Sequence, residues 1–459
     1  MKMIRYAVWG IACLFLLVHA IVVTFHTALV FQQGAVPGSA AAGYWLLVLL
    51  AAVILAAGLR KGRITRSRGY ALLVAALIVV MGAGTAWLVA DAPAVVNDYS
   101  EKDVACPSNG SFEYLAFFNA TDPLAPGTPG PDGRQDIIAT WDDIQERHNA
   151  IEALDRFDRI CDLPEDAAFN VEIPLLNFRA LKETADIYGQ YFLANVSAGQ
   201  PGEAAEAFFR LNRVARKGLD GATLLIHKMI FARMAEQAIE TTWAALQNQS
   251  MDQQTLAALR ENFPPITYEE ISLVRPLITE YLIMKNTMRG LMPAHLLDWS
   301  ALPATGNTDD APTQNPLLSR GVFFLGFKPN QSLADIKIYN DRLIEASRRH
   351  PVDLSQADAY MEAYVKNPPI RNMVGWILNS IAMPNPSGYS DRLAAIKIKS
   401  DLLALSLHRR LGETAALTDY YTGRELQYRE DDGFLSHPGK DGVFDTPDDV
   451  TLGKNAEGR

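Results

Sequence analysis

The chain is poor in cysteine, with three in 459 residues. That scarcity excludes a fold held mainly by disulfides and a cysteine-rich zinc module. It also lacks the short signatures of familiar chemistry. No G-x-S-x-G, H-E-x-x-H, G-x-x-x-x-G-K-[ST] or C-x-x-C occurs, which removes the hydrolase elbow, the zincin pair, the P-loop and the thioredoxin motif. A basic surplus is missing as well. Met1–Asp91 hold seven of the 42 Lys and Arg and one of the 52 acids, so the remainder carries 35 basic and 51 acidic residues, a formal charge of −16. Phosphate backbones need a basic surface, so nucleic acid is not an expected partner.

The near-absence of acids in the first ninety residues goes with three long apolar runs, Ile4–Phe31, Gly43–Leu59 and Tyr70–Ala90. Their lengths predict three transmembrane helices. Tyr6, Trp9, Tyr44, Trp45, Tyr70 and Trp87 lie near their ends, where interfacial aromatics belong. The first run is too long for a cleaved signal peptide. Arg60–Gly69 carries five basic residues and Gln32–Gly43 none. The positive-inside rule therefore puts the N-terminus in the cytoplasm of a bacterial inner membrane, and everything after residue 91 in the periplasm or outside.

Beyond that point only Cys106 and Cys161 remain. Two thiols in an exported domain predict a disulfide, which in the chain-entropy model stabilises by about 4 kcal/mol for a loop of this length. A Pro/Gly-rich stretch at Asn119–Gly133 reads as a linker or exposed loop. Helical patterns follow. Thr140 with Asp143 and Thr267 with Glu270 have capping-box spacing, and "GQPG", "GLDG" and Pro264–Pro265 separate the runs. Pro276 reads as a kink. A loose stretch, Ala301–Pro316, divides this helical part, and the last long helix, Ser390–Gly412, buries Leu393, Ile396, Leu403 and Leu407. Paired helices with short turns predict a mainly α fold, with an exported helical-hairpin, α-solenoid-like domain. The domains expected are a membrane part (1–91), an exported linker (92–136), a helical domain (137–300), a loop-rich connection (301–330), a continued helical domain (331–412) and a short β-like, Asp-rich tail (413–459).

That tail contains "TDYYTGRELQYREDDGFLSHPGKDGVFDTPDDVTLG". With the long helix before it, over about residues 390–453, it resembles the C-terminal part of major pseudopilins of type II secretion systems. The family's N-terminal Gly-Phe methylation signature is absent. In that family a comparable loop binds calcium, and the resemblance implies a calcium site here. Asp441, Asp445, Asp448 and Asp449 offer hard oxygen ligands, Gly442 a tight bend and Pro447 a stiff one. The spacing does not fit an EF-hand, and His437 alone does not make a zinc site. The whole chain resembles bacterial membrane-anchored helical envelope proteins, including the segments Phe327–Glu345 and Arg371–Ser380.

No catalytic residues stand out. His148, His227, His295, His350, His408 and His437 are scattered, and His227 lies in an apolar run that reads as a core or groove position rather than a base. Glu236 and Glu240, one helical turn apart, read as surface charges. The function expected is a noncatalytic envelope scaffold or protein-binding module facing the periplasm, with the lipid bilayer and an envelope protein as partners. Alternatives are a periplasmic hydrolase of cell-wall or polymer substrates, with its cleft between helices, and a secretion-system accessory protein.

Overall fold

Glycine and proline punctuate a chain that is otherwise rich in helix formers, and the computed structural model is accordingly mainly helical. It describes residues 91–96, 98–106, 110–121, 145–164, 167–170, 172–173, 175–247, 251–290, 327–369, 372–383, 386–431 and 433–453. The helices are α1 (Ser111–Ala120), α2 (Gln145–Asp155), α3 (Arg179–Ser197), α4 (Gly202–Gly221), α5 (Leu225–Gln247), α6 (Gln253–Asn262), α7 (Val274–Gly290), α8 (Pro329–Ser347), α9 (Ser355–Lys366), α10 (Met373–Ala382) and α11 (Ser387–Arg410). Strands β1 (Arg429–Asp431), β2 (Phe434–His437) and β3 (Val450–Leu452) follow.

The expected fold class needs correction. Among the described residues no helix is long and apolar enough to cross a membrane. The longest helices show why. The 24-residue α11 carries Asp391, Arg392, Lys397, Lys399 and Asp401, and the 23-residue α5 carries Lys228, Arg233, Glu236 and Glu240, a charge density a bilayer core would not accept. The three runs read as transmembrane helices, 4–31, 43–59 and 70–90, lie outside the described residues. The solenoid expectation also gives way. A solenoid pairs each helix with its chain neighbours, whereas α11 packs on α5 and α6 and receives β3.

The chain divides into two compact units. One comprises Tyr99–Met284, Asn340–Ala357 and Asn385–Arg459. Its centre is the α3–α4–α5 layer. Along α4, Ala204, Phe208, Leu211, Ala215 and Leu219 recur at helical spacing and are buried. Phe208 stacks on Phe192 of α3 with centroids 4.5 Å apart, and Phe178 meets Phe231 of α5 edge-on at 5.4 Å. The glycines of "GLDG" are packing residues at the end of α4. A Cβ on Gly218 would stand 2.3 Å from the Phe231 ring, and one on Gly221 would stand 2.0 Å from the Ile160 carbonyl. The polar face of α4 is tied down by arginines. Arg213 reaches Asp155 at 2.7 Å and Arg216 holds Glu270 at 2.7 Å.

Thr267 and Glu270 do exchange the two bonds of a capping box, at 2.6 and 3.3 Å. They close a turn ahead of the helix, and α7 begins at Val274. Pro276 therefore sits in the first turn, where its missing N–H leaves no intrahelical bond broken. The cap of α6 is Asp252, whose carboxylate accepts from Thr255 N–H. At the other end of this unit, α11 exits through Gly412 at φ +74° after Arg409 and Arg410, as a helix C-terminus favours. The tail then forms an antiparallel sheet in the order β1-β2-β3, with Arg429, Ser436 and Thr451 in register across it.

The second unit comprises Met1–Asp98, Lys285–Tyr339 and Asp358–Pro384. Its described part is organised by a buried polar network. Asn372 accepts from Lys328 N–H at 2.8 Å and donates to Ser332 Oγ at 2.8 Å. Asn379 donates to the Ser332 carbonyl and to the Tyr364 hydroxyl, each at 3.0 Å. Gly375 is needed here, because a Cβ would stand 2.0 Å from Ser332 Oγ. Asp91 supplies the carboxylate at the start of α8, accepting from Asn330 and Gln331 N–H at 2.9 and 3.1 Å.

Candidate functional site

A concavity of about 1160 Å³ lies in the first unit where the tail folds back on α5 and α11. Arg233, Glu236, Glu240 and Trp243 present one stripe of α5 to it, and Asp391, Ala395 and Lys399 one stripe of α11. The tail closes the third side with Tyr421, Lys440 and Asp448–Thr451, flanked by Gly433 and Gly453. Trp243 anchors this wall by donating its indole N–H to the Gly433 carbonyl at 3.3 Å.

The floor is an ion-pair lattice. Lys399 Nζ stands 2.7 Å from Glu236 and 2.7 Å from Glu240, and Arg233 stands 2.8 Å from Glu236. Burial pushes the Glu236 carboxyl up, but the Lys399 ammonium and Arg233 outweigh it and hold the carboxyl below its usual range. Burial pulls the Lys399 ammonium down, and the two glutamates more than restore it. Two carboxylates this close could form a glycosidase pair. That chemistry needs one of them protonated near neutrality, and Glu236 is shifted the other way.

The four tail aspartates are held by their own loop. Asp441 accepts from Val443 N–H at 2.8 Å, and Asp445, itself at φ +70°, receives both arms of Arg429 at 2.7 and 2.9 Å. Asp448 accepts from the N–H groups of Lys440 and Asp441 at 2.6 and 3.1 Å and from the Thr446 hydroxyl at 2.7 Å. The Thr446 hydroxyl and these N–H groups hold its carboxyl below the usual range. Asp449 accepts from Asp445 N–H at 2.8 Å. Among the described residues no group of three or more His, Cys, Asp or Glu is placed to hold a metal ion. Asp448 and Asp449 line the cleft; Asp445 and Asp449 line a smaller hollow of about 340 Å³ on the other side of the loop.

Cys106 and Cys161 are paired, with Cα atoms 5.8 Å apart and a separation of 55 positions in the chain. The next residue, Asp162, was not singled out by its sequence context and is fully buried. It accepts from His227 Nδ1 at 2.9 Å, from the N–H groups of Thr223 and Leu224 at 2.9 and 3.2 Å, and from the Thr223 hydroxyl. Leu176 N–H donates to the other imidazole nitrogen at 3.3 Å. Both nitrogens of His227 are thus engaged, and the pair holds the start of α5 in the core.

The tail repeats the device. His437 donates Nε2–H to Asp419 at 2.5 Å and accepts from Gly439 N–H at 3.1 Å. Burial pushes the Asp419 carboxyl up, while the bonds from His437 and Thr422 bring it below its usual range. Lys228, fully buried, donates to the carbonyls of Leu219 and Glu270 at 2.8 and 2.7 Å, and burial lowers its ammonium to about 7. Pattern alone could have flagged Asp162 only as an acid beside a cysteine; its partners lie 61 to 65 positions away.

No protein-family model matches the chain, and neither a curated protein nor a solved structure is similar to it.

Proposed function

We propose that the chain is a noncatalytic scaffold or protein-binding module of the cell envelope, with the cleft between α5, α11 and the tail as its partner surface. The observation that carries this reading is the Glu236–Lys399–Glu240 lattice on the cleft floor. In it the Glu236 carboxyl, though raised by burial, is held below its usual range by Lys399 and Arg233. A floor of that kind holds shape and charge for recognition. The acid–histidine pairs support the reading, because both are engaged in holding backbone. The Cys106–Cys161 pair suits an oxidising compartment, outside the cytosol. Calcium in the Asp441–Asp449 loop belongs to the same proposal as an ion that would stiffen the cleft's third wall.

The test is photo-crosslinking from position 395 in cells, alongside hydrolysis assays on cell-wall and other polymer substrates. A single crosslinked protein and no turnover are expected. Turnover that disappears in Glu240→Gln would overturn the scaffold reading in favour of a hydrolase.

A further inference from the structure

Helix α10, in the second unit, is turned inside out. A surface helix in water buries its apolar stripe and exposes its polar one. Here the inward face is Asn372 at the N-cap, Gly375 and Asn379, and both asparagines are fully buried. The opposite face is Val374, Ile377, Leu378 and Ile381, spaced as one helical stripe. The first three are half-buried and Ile381 is 80% exposed. The two faces are not interchangeable. Asn372 and Asn379 are bonded to Lys328, Ser332 and Tyr364, and Ser332 leaves no room for a Cβ at position 375. The helix itself carries no charged side chain. A polar side given to the protein and an apolar side given to the outside fit an apolar exterior better than water.

Position says what that exterior is. The Lys328 N–H that holds Asn372 lies just before α8, and Asp91 caps the same helix start through the N–H groups of Asn330 and Gln331. Asp91 follows directly on Tyr70–Ala90, an apolar stretch with no charged side chain. Whatever shelters that stretch from water therefore reaches the neighbourhood where α10 begins. A second copy of the chain is a poor cover. A stable interface takes about 20–30 residues a side, and the stripe offers four side chains.

We infer that α10 rests on a lipid surface, with Val374, Ile377, Leu378 and Ile381 sunk among the headgroups and the first acyl carbons. In a free interfacial helix water solvates the polar face; here α8 and α9 take that place. An uncharged helix gains from apolar burial alone, so neutral lipid suffices and salt has little effect. The contact belongs to the second unit and is independent of the cleft.

The test is a nitroxide spin label at position 381 of the full chain, introduced as Ile381→Cys with Cys13→Ser, which leaves the disulfide in place. The chain is reconstituted with phosphatidylcholine vesicles. Collisions of the label with oxygen, which concentrates in lipid, are compared with collisions with a polar nickel chelate, which stays in water. A label introduced as Glu261→Cys, at an exposed site in the first unit, is the reference. The oxygen-to-nickel ratio should be severalfold higher at position 381 than at 261, and equal at low and high salt. Ile377→Glu places a charge within the stripe and should return the ratio at 381 most of the way to the reference.

Melting curves show whether the Ile377→Glu variant folds, and the label at the exposed position 381 decides the question without it. A ratio at 381 no higher than at 261, or one unchanged in folded Ile377→Glu, would overturn the inference. A ratio that collapses at high salt would overturn it in favour of electrostatic adherence. A label shielded from both reagents would overturn it in favour of a protein cover: a second copy if the labels broaden one another, another part of the chain if they do not. None of these outcomes bears on the cleft, whose own test is the crosslink at position 395.

Discussion

Gly453 passes so close to Trp243 that a Cβ on it would lie 2.1 Å from the indole Nε1. The same indole nitrogen donates to Gly433, and Gly433 and Gly453 lie side by side at one end of the tail sheet, so both meet one side chain of α5. Gly453 sits at φ +104°, a backbone region that side chains rarely adopt. This contact fixes the third wall of the cleft.

Gly453→Ala should therefore detach the wall. We expect a loss of about 1–3 kcal/mol, from strain at positive φ together with the clash. Thermal melting and Trp fluorescence read it directly. A variant with the wild-type melting temperature would show that the tail is not seated on Trp243.

The Asp162–His227 pair is expected to matter for stability and not for turnover. Asp162→Ala removes the acceptor of four bonds in a fully buried setting. Leaving those donors unpaired should cost about 3–5 kcal/mol, measured by denaturant unfolding. A change below about 1 kcal/mol would contradict the structural role.

Reduction of Cys106–Cys161 should lower stability by about 4 kcal/mol in the chain-entropy model. Labelling of the denatured chain should find one reactive thiol before reduction, at Cys13, and three after it. Three reactive thiols in freshly purified protein would rule out the bond in the cell.

Asp335 gives a pH signature. Burial raises its carboxyl to about 6, against the bond from Tyr364. An acid whose folded value lies above its unfolded value binds its proton more tightly in the folded state. Its charge therefore opposes folding above about pH 6, and the penalty fades as pH falls through 6 toward the usual carboxylate range. The side chain is partly exposed, so screening limits the effect to about 1 kcal/mol. Asp335→Asn should raise the melting temperature at pH 7.5 and leave it nearly unchanged at pH 4; the reverse ordering would refute the assignment.

Calcium in the tail loop makes its own prediction. Millimolar calcium should raise the melting temperature, and Asp441→Ala with Asp445→Ala should abolish the rise. Asp445 is held by Arg429, so Arg429→Gln should enlarge the response. A wild-type chain whose melting temperature ignores calcium would dispose of the ion.

Much of the local architecture was written in the sequence. The exit of α11 at Gly412, the stop of α6 before Pro264, the buried positions of Leu393, Ile396, Leu403 and Leu407, and the core position of His227 all follow from local propensity and spacing. The start of α7 slipped from Thr267 to Val274, where Pro276 could serve the first turn. Glu236 and Glu240 looked like surface charges because their partner, Lys399, lies 163 and 159 positions away.

By itself, then, the sequence determined where the chain turns helical, which faces are apolar and which two thiols were available to meet. Backbone preference and side-chain period act over a few residues and carry that information. Only the tertiary structure decided that α11 returns to α5, that the tail seats on Trp243, and that scattered acids become buried caps or the rim of a cleft. Those outcomes depend on burying apolar faces and satisfying polar groups between distant segments, and no local pattern encodes which distant segment supplies the partner.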